Sequence, residues 1–440
     1  MSTLLVNAHV VTMDDEGTEH PGGWILLDEG FVQSVGTGER PDADEVQDFG
    51  GAVVTPGLVN THHHLWQNLT RARAQEENLF GWLKALYPVW AALDDEAEYA
   101  AARAGLAELA LSGCTTVFDH HYLFPPGVTG LLEAEIRAAR ELGVRIVASR
   151  GSMDLGESDG GLPPDAIVER RDDVLAATEQ AAGLADGAHV EIAVAPCSPF
   201  SVTQELMTES AELARRLGLR LHTHLAETAE EEDFARERFG CTPVEYVGEL
   251  GWLAEDVWCA HCVHLSDQDV SKFGVRGVAV AHCPTSNMRL GAGLAPVREL
   301  LDAGVRVGLG VDGSASNERG DLFLEVKQAL LVARARGGPK ALTAREALRL
   351  GTRGGASVLG RDDIGELSPG KRADLAVWRT DGLELGGADD PVAGLVFSGP
   401  HRVDRLYVAG EEVVSDGHLV RTDEAEVARE HRRHAERFAA

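Results

Sequence analysis

Between residues 53 and 312 the chain alternates short apolar runs with stretches of helical periodicity. The apolar runs are VVTPGLVNT, TTVFDH, RIVASR, VEIAVAP, RLHTHLA, VWCAH, VAVAHC and VRVGLGVD. Between them lie helix-patterned runs such as DDEAEYAAARAGLAELALSG, TGLLEAEIRAARELG, TQELMTESAELARRLG and APVRELLDAG. Several of these end in a glycine, Gly113, Gly143, Gly218 or Gly304, and an apolar run starts at once. Glycine takes the left-handed conformation that closes a helix. Eight buried strands alternating with helices are the count of a closed (β/α)8 barrel, a TIM-like α/β fold. A doubly wound open sheet is the alternative. The difference matters, because a barrel gathers the polar residues at its C-terminal strand ends into one mouth.

The two ends of the chain read differently. Residues 1–57 contain TLLVNAHVVTM, GWILLDEGFVQSVG and GGAVVTPG, short strands with turns and no helical period. The same texture returns in GELSPGKRADLAVWR and VDRLYVAGEEVVSDG. These stretches predict a small β-sandwich domain formed by both termini, 1–57 with 366–422, beside a catalytic barrel over 58–365. The closing EAEVAREHRRHAERFAA predicts a polar helix on the surface.

Composition narrows the partners. Hydrophobic residues are 44% and charged residues 25% of 440, ordinary for a globular chain and incompatible with general disorder. Forty Lys and Arg stand against 71 Asp and Glu, a formal charge of −31. Phosphate binding is driven by Lys and Arg, so nucleic acid and anionic membrane are not expected partners. A small-molecule substrate and assembly into a homo-oligomer are expected. No run approaches a membrane span, and MSTLLVNAHVVTMDDEG lacks a basic, apolar leader, so a cytoplasmic location is expected. Six cysteines are too few for a disulfide framework. Cys259 and Cys262 form a CxxC, but inside a strand-like run and without a second pair, so they read as core.

The polar residues at the ends of the predicted strands carry the chemistry. The first strand runs into His62-His63-His64. Residues i and i+2 of a strand share a face, so His62 and His64 can both aim into the mouth while His63 points away. A His-x-His pair lets two imidazoles reach one ion at about 2.0–2.1 Å. The fifth strand repeats the device as His222-Thr223-His224, followed by Glu227; the sixth ends at His261 and the eighth at Asp312. A carboxylate straight after an apolar strand is costly to bury unless paired or coordinated. The favoured ligands are His62, His64, His224 and Asp312. Three imidazoles and one carboxylate suit one divalent metal ion, Zn2+, with Fe2+ or Mn2+ open from ligand type.

A divalent ion makes hydroxide available near neutral pH, and a neighbouring group must then move its proton. Glu227 is assigned that shuttle; the competing reading is a surface salt bridge within AETAEEEDFARER. Asp312 can bind the ion and orient the nucleophile. His261 can donate to the attacked atom, or be a structural residue of the mouth. GLGVDG fits a dinucleotide-binding pattern, but Asp312 inside it would meet a pyrophosphate with negative charge. The H-x-E…P-C-x-x-C signature of nucleic-acid deaminases is absent.

PGLVNTHHHLWQ, HTHLAET, AHCPTSN and GLGVDGSASN together resemble the amidohydrolase superfamily, in its deaminase and chlorohydrolase branch. The resemblance runs nearly end to end and includes GELSPGKRADLAVW. It implies a mononuclear metal in a barrel with ligands at His62, His64, His224 and Asp312, Glu227 as proton shuttle and His261 assisting. LFGWLKALYPVW, SGCTTVFDHHYLFP, GSMDLGESDGGLPPD and APCSPFSVT look most like the 8-oxoguanine deaminases, with s-triazine hydrolases sharing them more loosely.

The resemblance places Gln67 where purine deaminases bind the base, its amide offering a donor and an acceptor; capping of the next helix is the structural alternative. Guanine deaminases of the branch tend to carry arginine where this chain has Cys197. Guanine presents an N7 acceptor, whereas 8-oxoguanine presents N7–H, which a small neutral sulfur tolerates. An unpaired buried polar group costs about 1–3 kcal/mol, so Cys197 favours 8-oxoguanine. The alternative is an inert buried cysteine. The implied activity is hydrolytic deamination of 8-oxoguanine to urate and ammonia. The alternatives are an s-triazine or pterin aminohydrolase or chlorohydrolase, or a guanine deaminase. Chlorohydrolases can lack the carboxylate at Asp312, which favours deamination. A retired, non-catalytic binding barrel would have lost ligands or shuttle, and none is lost. The chain departs from the pattern after SASN, where Glu318-Arg319-Gly320-Asp321 follow.

Overall fold

A computed structural model describes residues 1–439. Five strands come first: β1 (Thr3–Val11), β2 (Glu19–Asp28), β3 (Phe31–Gly36), β4 (Glu45–Asp48) and β5 (Ala52–Pro56). Eight follow: β6 (Leu58–Asn60), β7 (Cys114–Asp119), β8 (Arg145–Ser152), β9 (Val190–Pro196), β10 (Arg220–Leu225), β11 (Val257–His261), β12 (Ala279–His282) and β13 (Val307–Leu309). Four close the series: β14 (Leu375–Arg379), β15 (Arg405–Val408), β16 (Glu411–Ser415) and β17 (His418–Leu419).

Strands β6 to β13 form a closed parallel barrel, sealed where Leu309 of β13 pairs with Asn60 of β6. This is the closed (β/α)8 alternative, not the open sheet. The glycine rule holds: Gly143 and Gly218 close the helices Leu131–Leu142 and Gln204–Leu217 at φ 84° and 70°. Inside the barrel Phe118 packs edge-on against Trp258 and His222, with ring centroids 4.8 and 4.7 Å apart. That aromatic floor, joined by Val59, Val147, Ala193 and Ala281, lies beneath the polar mouth.

The remaining nine strands form one sheet in the order β17-β16-β15-β14-β5-β1-β2-β3, with β4 on β1. Both termini build it, because β5 pairs antiparallel with β14 across more than three hundred residues of barrel. The sheet returns on itself: Val32 N donates to Lys371 O and Ala373 N to Gly30 O, joining the β3 end to the segment before β14. Leu5, Ile25, Val32, Val54, Leu375 and Tyr407 fill the enclosed core.

The apolar run VVTPGLVNT is divided between the two units. Ala52–Pro56 belongs to the small sheet and Leu58–Asn60 to the barrel. Gly57 is the joint, and a Cβ there would lie 2.3 Å from Thr115 Cγ2, so no larger residue fits. A buried ion pair ties the units together. Arg145 of β8 pairs with Asp374, whose other oxygen accepts from Ala409 N at 2.7 Å. The closing helix Glu424–Ala435 is polar and lies on the surface, docked on helix Asp95–Leu111 through Arg103–Glu430 at 2.7 Å. Among the described residues no helix is long and apolar enough to cross a membrane.

Candidate metal centre

His62, His63 and His64 lie just beyond the end of β6, and Asp312 lies three residues beyond β13. The parallel ladder nevertheless continues through them. Asp312 N donates to His62 O at 3.1 Å on one side, and His120 N donates to His63 O at 2.8 Å on the other. The alternation of a strand therefore persists past its formal end, and with it the inward aim of His62 and His64.

The hydrogen bonds fix the proton on each imidazole. His64 Nδ1 donates to His120 O at 2.8 Å, and His224 Nδ1 donates to Cys197 O at 2.7 Å. His222 Nδ1 donates to Trp258 O at 3.0 Å, which leaves its Nε2 to accept from His62 Nδ1 at 2.9 Å. All three rings of the predicted set thus carry their proton on Nδ1 and a lone pair on Nε2. The lone pairs converge. His64 Nε2 is 3.1 Å from His224 Nε2, and Asp312 Oδ1 is 3.4 Å from His62 Nε2 and 3.3 Å from His64 Nε2. His62 Nε2 is buried without a protein partner.

Burial pushes the His62, His64 and His224 rings down toward their neutral form. Burial alone would raise Asp312, yet it is held well below the usual carboxylate range, with the charge of His261 among the groups that favour its ionised form. Neutral imidazoles with converging lone pairs beside an ionised carboxylate are the donor set a divalent cation requires. The residues fit the predicted ion.

Clamps hold Asp312. Ser286 Oγ donates to its Oδ2 at 2.6 Å, Ser316 Oγ approaches the same atom at 3.1 Å, and Gly313 N donates to Oδ1 at 2.7 Å. The backbone of Asp312 is left-handed, φ 63°, as are those of His261 at 69° and Ala226 at 52°. Non-glycine residues in that region cost about 1–3 kcal/mol each and cluster at functional sites.

Glu227 is buried, not on a solvated face. Ala226 N and Glu227 N both donate to the carboxylate of Glu231, which pins the turn after β10. Burial pushes the Glu227 carboxyl up to about 7, with His261 opposing and Asp312 and Glu231 adding. His261 Nδ1 donates to Asn287 Oδ1 at 2.8 Å, which turns Nε2 toward Glu227 Oε2 at 3.5 Å. Burial lowers His261, but the charges of Glu227 and Asp312 outweigh it and raise the ring.

Gln67, Cys197, Tyr87, Tyr122, Trp82 and Phe200 line a narrow cavity over these groups. Gln67 does not cap the next helix. Asn78 does, accepting from Gly81 N, while Gln67 Oε1 is buried and unpartnered. Cys197 stays neutral, since burial pushes its thiol up to about 12. Glu318 pairs with Arg289, Arg319 pairs with Asp321, and Asp321 caps helix Leu322–Gly337, so none of 318–321 lines the cavity.

Sequence reading missed His120, Ser286, Ser316 and Asn287, and gave His222 no role. His120 stacks on His224 at 4.6 Å and groups with His62, His64 and His224 at ligand spacing. Only the doubled histidine of FDHHY, at the end of an apolar strand, could have signalled it.

A parallel eightfold barrel with imidazoles and a carboxylate gathered at its C-terminal mouth defines a metal-dependent hydrolase of the TIM-barrel type. The chain belongs to the amidohydrolase family, whose profile matches residues 53–413. It is an enzyme, a hydrolase of carbon–nitrogen bonds. An 8-oxoguanine deaminase of Pseudomonas aeruginosa is 46% identical over 440 residues, covering 98% of each chain. An isoxanthopterin deaminase of an unknown prokaryotic organism is 37% identical, covering 98% of this chain and 96% of its own. The atrazine chlorohydrolase TrzN of Arthrobacter aurescens TC1, solved complexed with zinc, superposes with a TM-score of 0.94 at 34% identity. That match covers 98% of this chain and 100% of the other.

Proposed function

We propose that the enzyme deaminates 8-oxoguanine to urate and ammonia, with one Zn2+ held by His62, His64, His224 and Asp312. The observation that carries this is the convergence of three Nε2 lone pairs and Asp312 Oδ1 beneath a buried glutamate. When bound, the ion supplies Lewis-acid activation of water near neutral pH.

The remaining chemistry belongs to the chain's own residues. Water adds to the amino-bearing ring carbon. Glu227 takes a proton from that water on its carboxylate and delivers it to the adjacent ring nitrogen. The second water proton follows the same carboxylate to the amino group, which leaves as ammonia. A carboxyl titrating near 7 is matched to both halves of that transfer. His261, oriented by Asn287, presents Nε2 to the reacting oxygen. The unpartnered Gln67 Oε1 accepts from an N–H of the base.

Cys197 supports the choice of substrate. Its neutral thiol on the cavity wall leaves the N7–H of 8-oxoguanine unopposed, where an arginine would meet donor with donor. The 46% identity to an 8-oxoguanine deaminase points the same way. We take 58–365 as the catalytic unit and the small domain of 1–57 with 366–422 as structural. We also take the protein to act in the cytoplasm as a homo-oligomer, without a nucleic-acid partner at a net charge of −31.

The test is ammonia release from guanine, 8-oxoguanine, isoxanthopterin, cytosine and an aminotriazine at equal concentration. 8-Oxoguanine is expected to turn over fastest. Guanine outrunning it would overturn the Cys197 argument, and isoxanthopterin outrunning it would move the assignment to pterins.

A further inference from the structure

Away from the metal centre, four ionisable side chains meet in the core. Glu98 comes from helix Asp95–Leu111, Asp119 from the end of β7, His121 from the loop after it and Glu135 from helix Leu131–Leu142. All four are 0% exposed. Neither oxygen of Glu98 or Glu135, nor Oδ2 of Asp119, has a hydrogen-bond partner. Among the described residues no Lys or Arg pairs with these carboxylates; Glu98 and Asp119 face His121, and Glu135 has no ion pair. Carboxylates buried together without a counter-charge cost several kcal/mol each.

His121 gives the cluster a direction. Its Nε2 donates to Leu123 O at 3.0 Å, so Nδ1 carries a lone pair. That Nδ1 is buried and unpartnered, and it faces Glu98 Oε1 at 3.8 Å and Asp119 Oδ2 at 3.9 Å. These separations are too long for hydrogen bonds. Acceptor facing acceptor across a sealed gap calls for positive charge between them. Ligand atoms of Glu98, His121 and Glu135 all lie within 4.8 Å of one another, a spacing open to ligands about 2.0–2.6 Å from one shared ion.

We propose that Glu98, His121 and Glu135 form a second metal site, sealed behind the first, that takes a divalent transition-metal cation. Glu98, Glu135 and a neutral imidazole balance the charge of a dication, which a position without solvent demands, and Asp119 lies beside them as a third carboxyl. A nitrogen ligand beside carboxylates selects Zn2+, Mn2+ or Fe2+ over the oxygen-seeking Ca2+ and Mg2+. The role is bracing. Asp119 Oδ1 accepts from Leu65 N at 2.7 Å, and His120 O accepts from His64 Nδ1. A cation fixing His121 therefore fixes the segment that sets the tautomer of His64.

The test is elemental analysis of the holoenzyme after dialysis against Zn2+ and desalting, with anomalous scattering from its crystals at the zinc edge. About two equivalents per chain are expected, with one peak among Glu98, His121 and Glu135. E98Q and E135Q are each expected to lose that peak, keep the one at His62 and His64, and fall to about one equivalent. Wild-type protein holding a single equivalent, with no peak at Glu98, overturns the proposal and leaves the carboxyls sharing protons. Retention of both equivalents in both variants overturns it equally. Should the variants fail to fold, the wild-type map decides alone.

Discussion

His62 donates from Nδ1 to Nε2 of His222 at 2.9 Å, across 160 residues of sequence. His222 can accept only because its own Nδ1 is committed to Trp258 O. A ring outside the proposed ligand set thus decides which nitrogen of His62 faces the centre. His222→Leu removes the acceptor and frees the tautomer. Metal affinity is expected to fall on the order of 10–100-fold, read by competition with a chelator. Unchanged affinity would mean that the barrel walls alone orient His62.

Glu227→Gln keeps the shape of the side chain and removes the proposed proton carrier. Turnover is expected to drop by roughly 10²–10⁴-fold while metal content and KM hold. The sign of the pH dependence follows from a carboxyl raised to about 7. Its proton-accepting form appears as pH rises through that value, so kcat/KM of the wild type climbs on the acid side and levels above it. A flat profile between pH 5 and 8 would remove Glu227 from the rate-limiting transfer.

Ser286→Ala deletes the 2.6 Å hydrogen bond to Asp312 Oδ2 and leaves Ser316 as the remaining hydroxyl there. A hydrogen bond to a charged group contributes about 1.5–3 kcal/mol. Activity is expected to fall about tenfold or more, together with a loss of stability of the order of that hydrogen bond. A fall in stability without a fall in rate would assign Ser286 to packing.

Cys197→Arg places a donor where the N7–H of 8-oxoguanine lies in the proposed complex. Selectivity for 8-oxoguanine over guanine is expected to fall roughly 5–150-fold, measured as the ratio of kcat/KM values. The backbone of Cys197 still holds His224, since the acceptor is its carbonyl, so metal binding is expected to survive.

Asp374→Ala strands Arg145, which is wholly buried between barrel and small sheet. Breaking a buried pair by removing one partner costs about 3–5 kcal/mol. The loss is read from denaturant midpoints. A loss below about 1 kcal/mol would mean that solvent reaches Arg145 when the pair opens.

The sequence alone determined the repeating unit. Apolar runs and glycine-closed helices are local patterns with their own periods, so eight strands and their order were legible, as were His62, His64, His224 and Asp312 at their ends. Burial and pairing between distant segments were not. VVTPGLVNT reads as one strand, yet it is two that join different sheets, separated at Gly57, where Thr115 leaves no room for a side chain. Glu227 sits in an acidic run that looks solvated, and only the turn pinned by Glu231 withdraws it from water. The proton on His62, the serines on Asp312 and the meeting of Glu98, His121 and Glu135 were decided by tertiary structure. Each depends on groups whose separation in the chain bears no relation to their distance in space, and hydrogen bonding and charge act over that distance alone.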